Sequence, residues 1–136
     1  MSNNKTTLRT PDEAEAIFYE AFSHCDSDVM AVLWADGDVV CVHPGSDAIV
    51  GHVNVARSWA HIFADAQRPS IRFSIMRRTE SEGLAVHVVT EEIRSGQAVV
   101  ARVLATNVYQ KFEQGWLMVG HHASVVPARS HVETLQ

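Results

Sequence analysis

Apolar residues along the chain follow two spacings. From residue 10 to 65 they return every three or four positions, the period of helices with one inward face. From residue 70 to 126 they alternate with polar residues, the period of strands. The first helix is the best marked. Thr10 caps it, Pro11 suits its first position, and Glu13 completes a capping box. Ala14, Ile17, Phe18, Ala21, Phe22 and Cys25 form its inward stripe, with Tyr19 on the flank. Ser27 caps a second, short helix carrying Val29, Met30, Leu33 and Trp34. Val39 to His43 is too short and too β-branched for a helix and reads as a strand, ended by Pro44-Gly45. A third helix follows Gly51, with Val55, Trp59, Ile62 and Phe63 on one side, and Pro69 breaks it.

The second half reads as strands. Ile71, Phe73 and Ile75 alternate with polar neighbours. Leu84 to Ile93 forms the next strand, and Ser95-Gly96 turns tightly into a third. On that third strand Val99, Ala101, Val103, Ala105 and Asn107 share one face, small and apolar enough to lie under helices. Asn107 is then a polar side chain turned inward. The opposite face mixes Val100, Leu104 and Val108 with Arg102, Thr106 and Gln110. Glu113-Gln114-Gly115 leads into a last strand, Trp116 to Val126. Helices followed by an antiparallel sheet make an α+β fold: three helices on one face of a curved sheet, a cone with an open mouth. The partly apolar outer face predicts pairing with a second subunit.

Length and charge narrow the reading. With 136 residues the chain suits one domain, 10–127, between a flexible lead at 1–9 and a polar tail at 128–136. No apolar run reaches the ~18–20 residues of a membrane span. A net charge of −5 and scattered basic residues argue against a nucleic-acid partner. Cys25 and Cys41 show neither a scaffold pattern nor a metal spacing and read as reduced thiols of a cytoplasmic protein. No glycine-rich phosphate loop is present, so no cofactor is expected. His121 and His122 are adjacent on a strand and face opposite ways, which disfavours a shared metal.

Several spaced motifs agree with one known family. They are the run Trp34-Ala35-Asp36 through Val40-Cys41-Val42-His43-Pro44-Gly45 to Gly51, then Ser58-Trp59, Ala105-Thr106-Asn107, Gly115-Trp116 and His121-His122-Ala123-Ser124. Together they resemble the SnoaL-like branch of the NTF2-like (cystatin-like) superfamily over residues 10–127. Within that superfamily the ketosteroid isomerases allow a residue-by-residue comparison. Their pocket has a tyrosine and a protonated aspartic acid as oxyanion donors and a carboxylate base before a proline. Without gaps, Tyr19 falls on the tyrosine and His43 on the base, before Pro44. Asn107 falls on the second donor. His43 thus replaces a carboxylate and Asn107 an acid.

The resemblance implies a pocket for a small apolar molecule, bordered by Phe18, Phe22, Trp34, Trp59, Phe63, Glu91 and His122. His122 is taken from the pair by the family's ending, and Glu91 orients a histidine or binds Arg102. His43 is a workable base near neutrality, and Tyr19 and Asn107 can donate to a developing oxyanion. Each also has a bland reading: His43 as a strand terminator, Tyr19 as a core-edge residue, Asn107 as a satisfied buried amide. Two functions follow. One is a cofactor-independent isomerase, cyclase or dehydratase acting on an apolar carbonyl compound. The other is a non-catalytic ligand-binding or assembly module, a reading favoured by the likeness of the His121-His122-Ala123-Ser124 ending to kinase association domains.

Overall fold

The computed structural model describes residues 8–65 and 70–127. Helix α1, Pro11–His24, begins at Thr10, whose hydroxyl accepts from Glu13 N–H at 3.0 Å. Glu13 returns the bond one residue further out than a standard capping box, accepting from Arg9 N–H at 2.6 Å. The helix ends where Cys25 turns left-handed, at φ 53°, and Asp26 N–H reaches back to Ala21 O at 2.9 Å. Asp26 then caps α2, Ser27–Leu33, by accepting from Val29 N–H. The cap thus lies one residue before the serine expected from sequence, where a carboxylate accepts more strongly than a hydroxyl. Strand β1, Val40–Val42, strand β2, Ile49–Val50, and helix α3, His52–Asp65, complete the first half. Pro69, expected to end α3, lies outside the described residues, as does the tail at 128–136.

Strands β3, Ser70–Ser81, β4, Leu84–Ser95, β5, Ala98–Phe112, and β6, Gly115–Val125, form an antiparallel meander. The six-stranded order is β2-β1-β6-β5-β4-β3. The sheet is mixed, because β1 runs parallel to β6. No hairpin joins these two strands, so nothing in their connection demands the antiparallel pairing expected from sequence. The pairing registers set Cys41, His121, Asn107, His87 and Arg78 side by side along one rung. The first four are buried or nearly so, under α1 and α3.

The inward face of β5 is Val103, Ala105, Asn107 and Tyr109. Val99, expected to share it, is exposed, because β5 runs past the helical layer beyond a register shift between Ile93 and Arg94. Residues 1–7 of the expected lead lie outside the described residues. Leu8 bridges to Gly115, and Trp116 N–H donates to Leu8 O at 2.9 Å. Gly115 is required there: its φ is +116°, and a Cβ would sit 2.7 Å from that oxygen. Among the described residues no helix is long and apolar enough to cross a membrane.

The core centres on Phe18, Trp59, Met30, Leu33, Val55, Val89 and Met118, all at most 2% exposed. Trp59→Ala is expected to destabilise by about 3–5 kcal/mol, and Phe22→Ala by less, since Phe22 is only half-buried. Denaturant melts of both variants check this, and equal small shifts would mean that Trp59 borders open space.

Candidate functional site

Helix α1 meets the sheet through polar residues as well as apolar ones. Glu15 and Tyr19 lie one turn apart and are both buried. Glu15 Oε2 accepts from Tyr109 Oη–H at 2.6 Å and from Asn107 Nδ2 at 3.0 Å, and its Oε1 accepts from His87 Nδ1 at 2.8 Å. The second Asn107 N–H donates to Tyr19 Oη at 3.0 Å, and Tyr19 Oη–H donates in turn to Glu91 Oε2 at 2.5 Å. His121 Nδ1 lies 2.6 Å from Asn107 Oδ1. An amide oxygen only accepts, so His121 carries its hydrogen on Nδ1. Donors therefore run from His121 through Asn107 and Tyr19 to Glu91, with a branch from Asn107 to Glu15.

Burial governs the acidities. Burial, with the Glu91 charge second, pushes the Tyr19 hydroxyl far up, so it stays protonated. Burial pushes Glu91 up to about 7, against the opposing hydrogen bond from Tyr19. Burial brings His121 down to about 3, helped by His43 and His122 nearby. His43 is also lowered by burial, so its imidazole is neutral at pH 7. Cys41 is pushed up to about 12 and remains an unreactive thiol.

His43 stands one layer from this network. Its Nε2 lies 2.9 Å from Ser58 Oγ on α3 and 3.7 Å from Cys41 Sγ. Its ring meets Trp59 edge-on at 4.7 Å. Trp59 in turn contacts the His121 ring at 5.9 Å, and Phe18 touches Tyr19, Trp59 and His121. Phe22 and Phe63 pack on Trp59, and Phe73 stacks on Tyr19 at 4.3 Å. One ring cluster thus gathers Tyr19, His43, Phe18, Phe22, Trp59 and Phe63 of the sequence-derived set, with Phe73 added. Tyr19 and Asn107 bond directly, while His43 is linked to them through Trp59, by way of His121 to Asn107 and of Phe18 to Tyr19.

Two sequence-derived choices are corrected. His122 is exposed; it pairs with Thr106 on the outer face, and His121, level with inward Asn107, is the member turned inside. Among the described residues Glu91 binds neither a histidine nor Arg102. It holds Tyr19, and Arg102 approaches Glu92 instead, because neighbours on a strand alternate faces. Trp34 is buried, but it closes α2 beside Met118 and, among the described residues, makes none of these ring contacts. Sequence reasoning gave no catalytic or pocket role to Glu15, Ser58, His87 or Tyr109, although Ser58 stands in the Ser58-Trp59 motif. Tyr109 continues the Asn107 parity and so had a readable signal, whereas Glu15 did not, since its partners lie on distant strands.

Residues 13–129 match the model of a family described as SnoaL-like domain. Among solved structures, a Thiobacillus denitrificans protein provisionally called a calcium/calmodulin-dependent protein kinase type II association domain is 33% identical, with a TM-score of 0.86 over 90% of this chain and 100% of that one. A Streptomyces avermitilis protein of the NTF2-like family, provisionally called a dehydratase, is also 33% identical, with a TM-score of 0.73 over 88% and 100%. A ketosteroid isomerase-like protein of Erwinia carotovora atroseptica is 20% identical, with a TM-score of 0.69 over 86% and 94%, and shares the fold. A search of curated proteins found no match.

The two buried groups with opposite shifts set the pH dependence of stability. Glu91 binds its proton more tightly folded than unfolded, so its contribution is complete below about pH 4.5 and is lost as pH rises through about 7. His121 binds its proton less tightly when folded, so its contribution is present above about pH 6.5 and is lost as pH falls towards 3. The two slopes nearly cancel between about pH 4.5 and 6.5, so stability is expected to be level there and to fall on either side. Glu91→Gln should flatten the alkaline side and His121→Gln the acid side, each by roughly 1–3 kcal/mol. Urea melts from pH 4 to 8 test both, and unchanged slopes would refute the assignments.

Proposed function

The chain belongs to the SnoaL-like domain family, and on that premise we propose a cofactor-independent acid–base enzyme of isomerase, cyclase or dehydratase type. Its substrate would be a small, largely apolar carbonyl compound. The observation that carries this reading is the Tyr19–Glu91 hydrogen bond of 2.5 Å inside a ring cluster that also includes His43. Glu91, at about 7, can exchange a proton near neutrality, and His43, lowered by burial, is ready to accept one. Environments that push two titratable groups apart in this way separate an acid from a base. The aromatic surroundings suit an apolar ring system, and the chemistry of these side chains asks for no cofactor.

In this proposal His43 takes the proton next to the carbonyl. Negative charge then develops on the carbonyl oxygen, towards the Tyr19 and Asn107 end of the cluster. In the free protein both donors are engaged, Tyr19 with Glu91 and Asn107 with Glu15 and Tyr19. A substrate oxygen must compete with those acceptors, which favours charge formed in the transition state over the neutral ground state. The two free thiols, Cys25 and Cys41, fit a cytoplasmic setting.

His43→Ala is expected to remove turnover while leaving ligand affinity within a few-fold. Wild-type activity should fall only on the acid side of the ordinary histidine range, because burial lowers the pH at which the His43 imidazole takes up a proton. Screening enones and β-hydroxy ketones for proton exchange or dehydration supplies the assay. A substrate whose turnover ignores His43→Ala would sink the reading.

A second reading, an assembly module, is favoured by the outer sheet face. Val100 and Leu104 are 60% and 40% exposed there, and the Thiobacillus neighbour is 33% identical over the whole of its length. We expect a homodimer across this face, which serves either function. Sedimentation equilibrium at micromolar concentration should give a dimer mass, and Leu104→Asp a monomer. A ring of many subunits would favour the assembly module instead.

A further inference from the structure

Ser58 sits on α3 immediately before Trp59, with its hydroxyl half-buried between two acceptor-capable groups. Its Oγ lies 2.8 Å from Val55 O and 2.9 Å from His43 Nε2. A serine hydroxyl has one proton and two lone pairs. Val55 O is a carbonyl and can only accept, so the contact with it uses the one proton. The contact with His43 is then closed only if Nε2 brings its own hydrogen. Were Nε2 bare, Ser58 would face two acceptors with one proton, and one contact under 3 Å would set lone pair against lone pair. Cys41 Sγ, 3.7 Å from the same nitrogen, is a further weak acceptor for that hydrogen.

We propose that Ser58 is a positioning residue that holds neutral His43 as its Nε2–H tautomer, leaving Nδ1 as the atom that takes the proton from substrate. The inference rests on the reading of His43 as base and specifies which nitrogen acts. Ser58 accepts from Nε2–H both in the neutral ring and in the imidazolium formed on proton transfer. Nothing around Nε2 therefore has to reorient during the reaction, which is the property expected of a preorganised base. The hydrogen bond also favours the charged ring and opposes the lowering caused by burial.

The test is nitrogen NMR of the full chain labelled with 15N-histidine, with His43 assigned by its loss in His43→Gln. At pH 7.5 the wild type should show a protonated Nε2 and a bare, downfield Nδ1. Ser58→Ala should shift the ring towards a tautomer mixture, move its titration to lower pH, and lower kcat about 10- to 100-fold with KM nearly unchanged. Ser58→Thr, which keeps the hydroxyl and its bond to Val55 O, should restore the wild-type spectrum. A wild-type spectrum with hydrogen on Nδ1, or a Ser58→Ala spectrum identical to wild type, overturns the proposal. The spectra need no substrate, so this failure is separate from that of the catalytic reading, which is decided by turnover of His43→Ala.

Discussion

The buried polar contacts between α1, β4, β5 and β6 are joined by one amide. Asn107 accepts from His121 and donates to both Glu15 and Tyr19, so its oxygen and both its N–H groups are used. No other side chain of that size offers one acceptor and two donors on a planar head. A carboxylic acid in its place could donate once at most, and either Glu15 or Tyr19 would lose a partner. Asparagine therefore suits the surroundings, because two acceptor oxygens on α1 have to be met from one position on β5.

The same residues join the helix to the sheet. Ala14, Phe18 and Ala21 bury apolar surface, while Glu15 and Tyr19 anchor the neighbouring stripe by hydrogen bonds. A buried carboxyl with no partners would be strongly destabilising, but Glu15 meets three donors. At the outer end Arg78 binds Asp12 through two nitrogens, at 2.8 and 3.0 Å, and Asp12 lies 3.8 Å from the buried His87 Nε2. Polar contacts thus run from the solvent edge at Arg78 to the rings around Glu91. They fix the rotation of α1 on the sheet, which apolar packing alone leaves looser.

What sequence reasoning could read were features with a local signature. The helices announced themselves by spacing and caps, and Asn107 by the parity of a long alternating strand. Tyr19 and Asn107 do meet. What stayed hidden depends on pairings between distant segments. A glutamate beside an apolar stripe reads as solvent-facing, and the partners that bury Glu15 lie 72 to 94 residues further on. The choice between His121 and His122 required the register of β6 against β5, whose shift between Val108 and Tyr109 breaks simple counting from the turn. The parallel edge was equally unreadable, since a three-residue strand carries no mark of its partner.

That parallel edge has a kinetic meaning. The meander from β3 to β6 pairs neighbours in sequence and can assemble through short loops. Strand β1 must find β6 about 80 residues away, a closure that becomes favourable only once β6 is in place. The chain is thus built to seat β1 last. His43 is the first residue after β1, so the proposed base reaches its place in the closing step of folding. Substitutions in β1 should speed unfolding and leave the folding rate almost untouched, the kinetic mark of an element absent from the transition state.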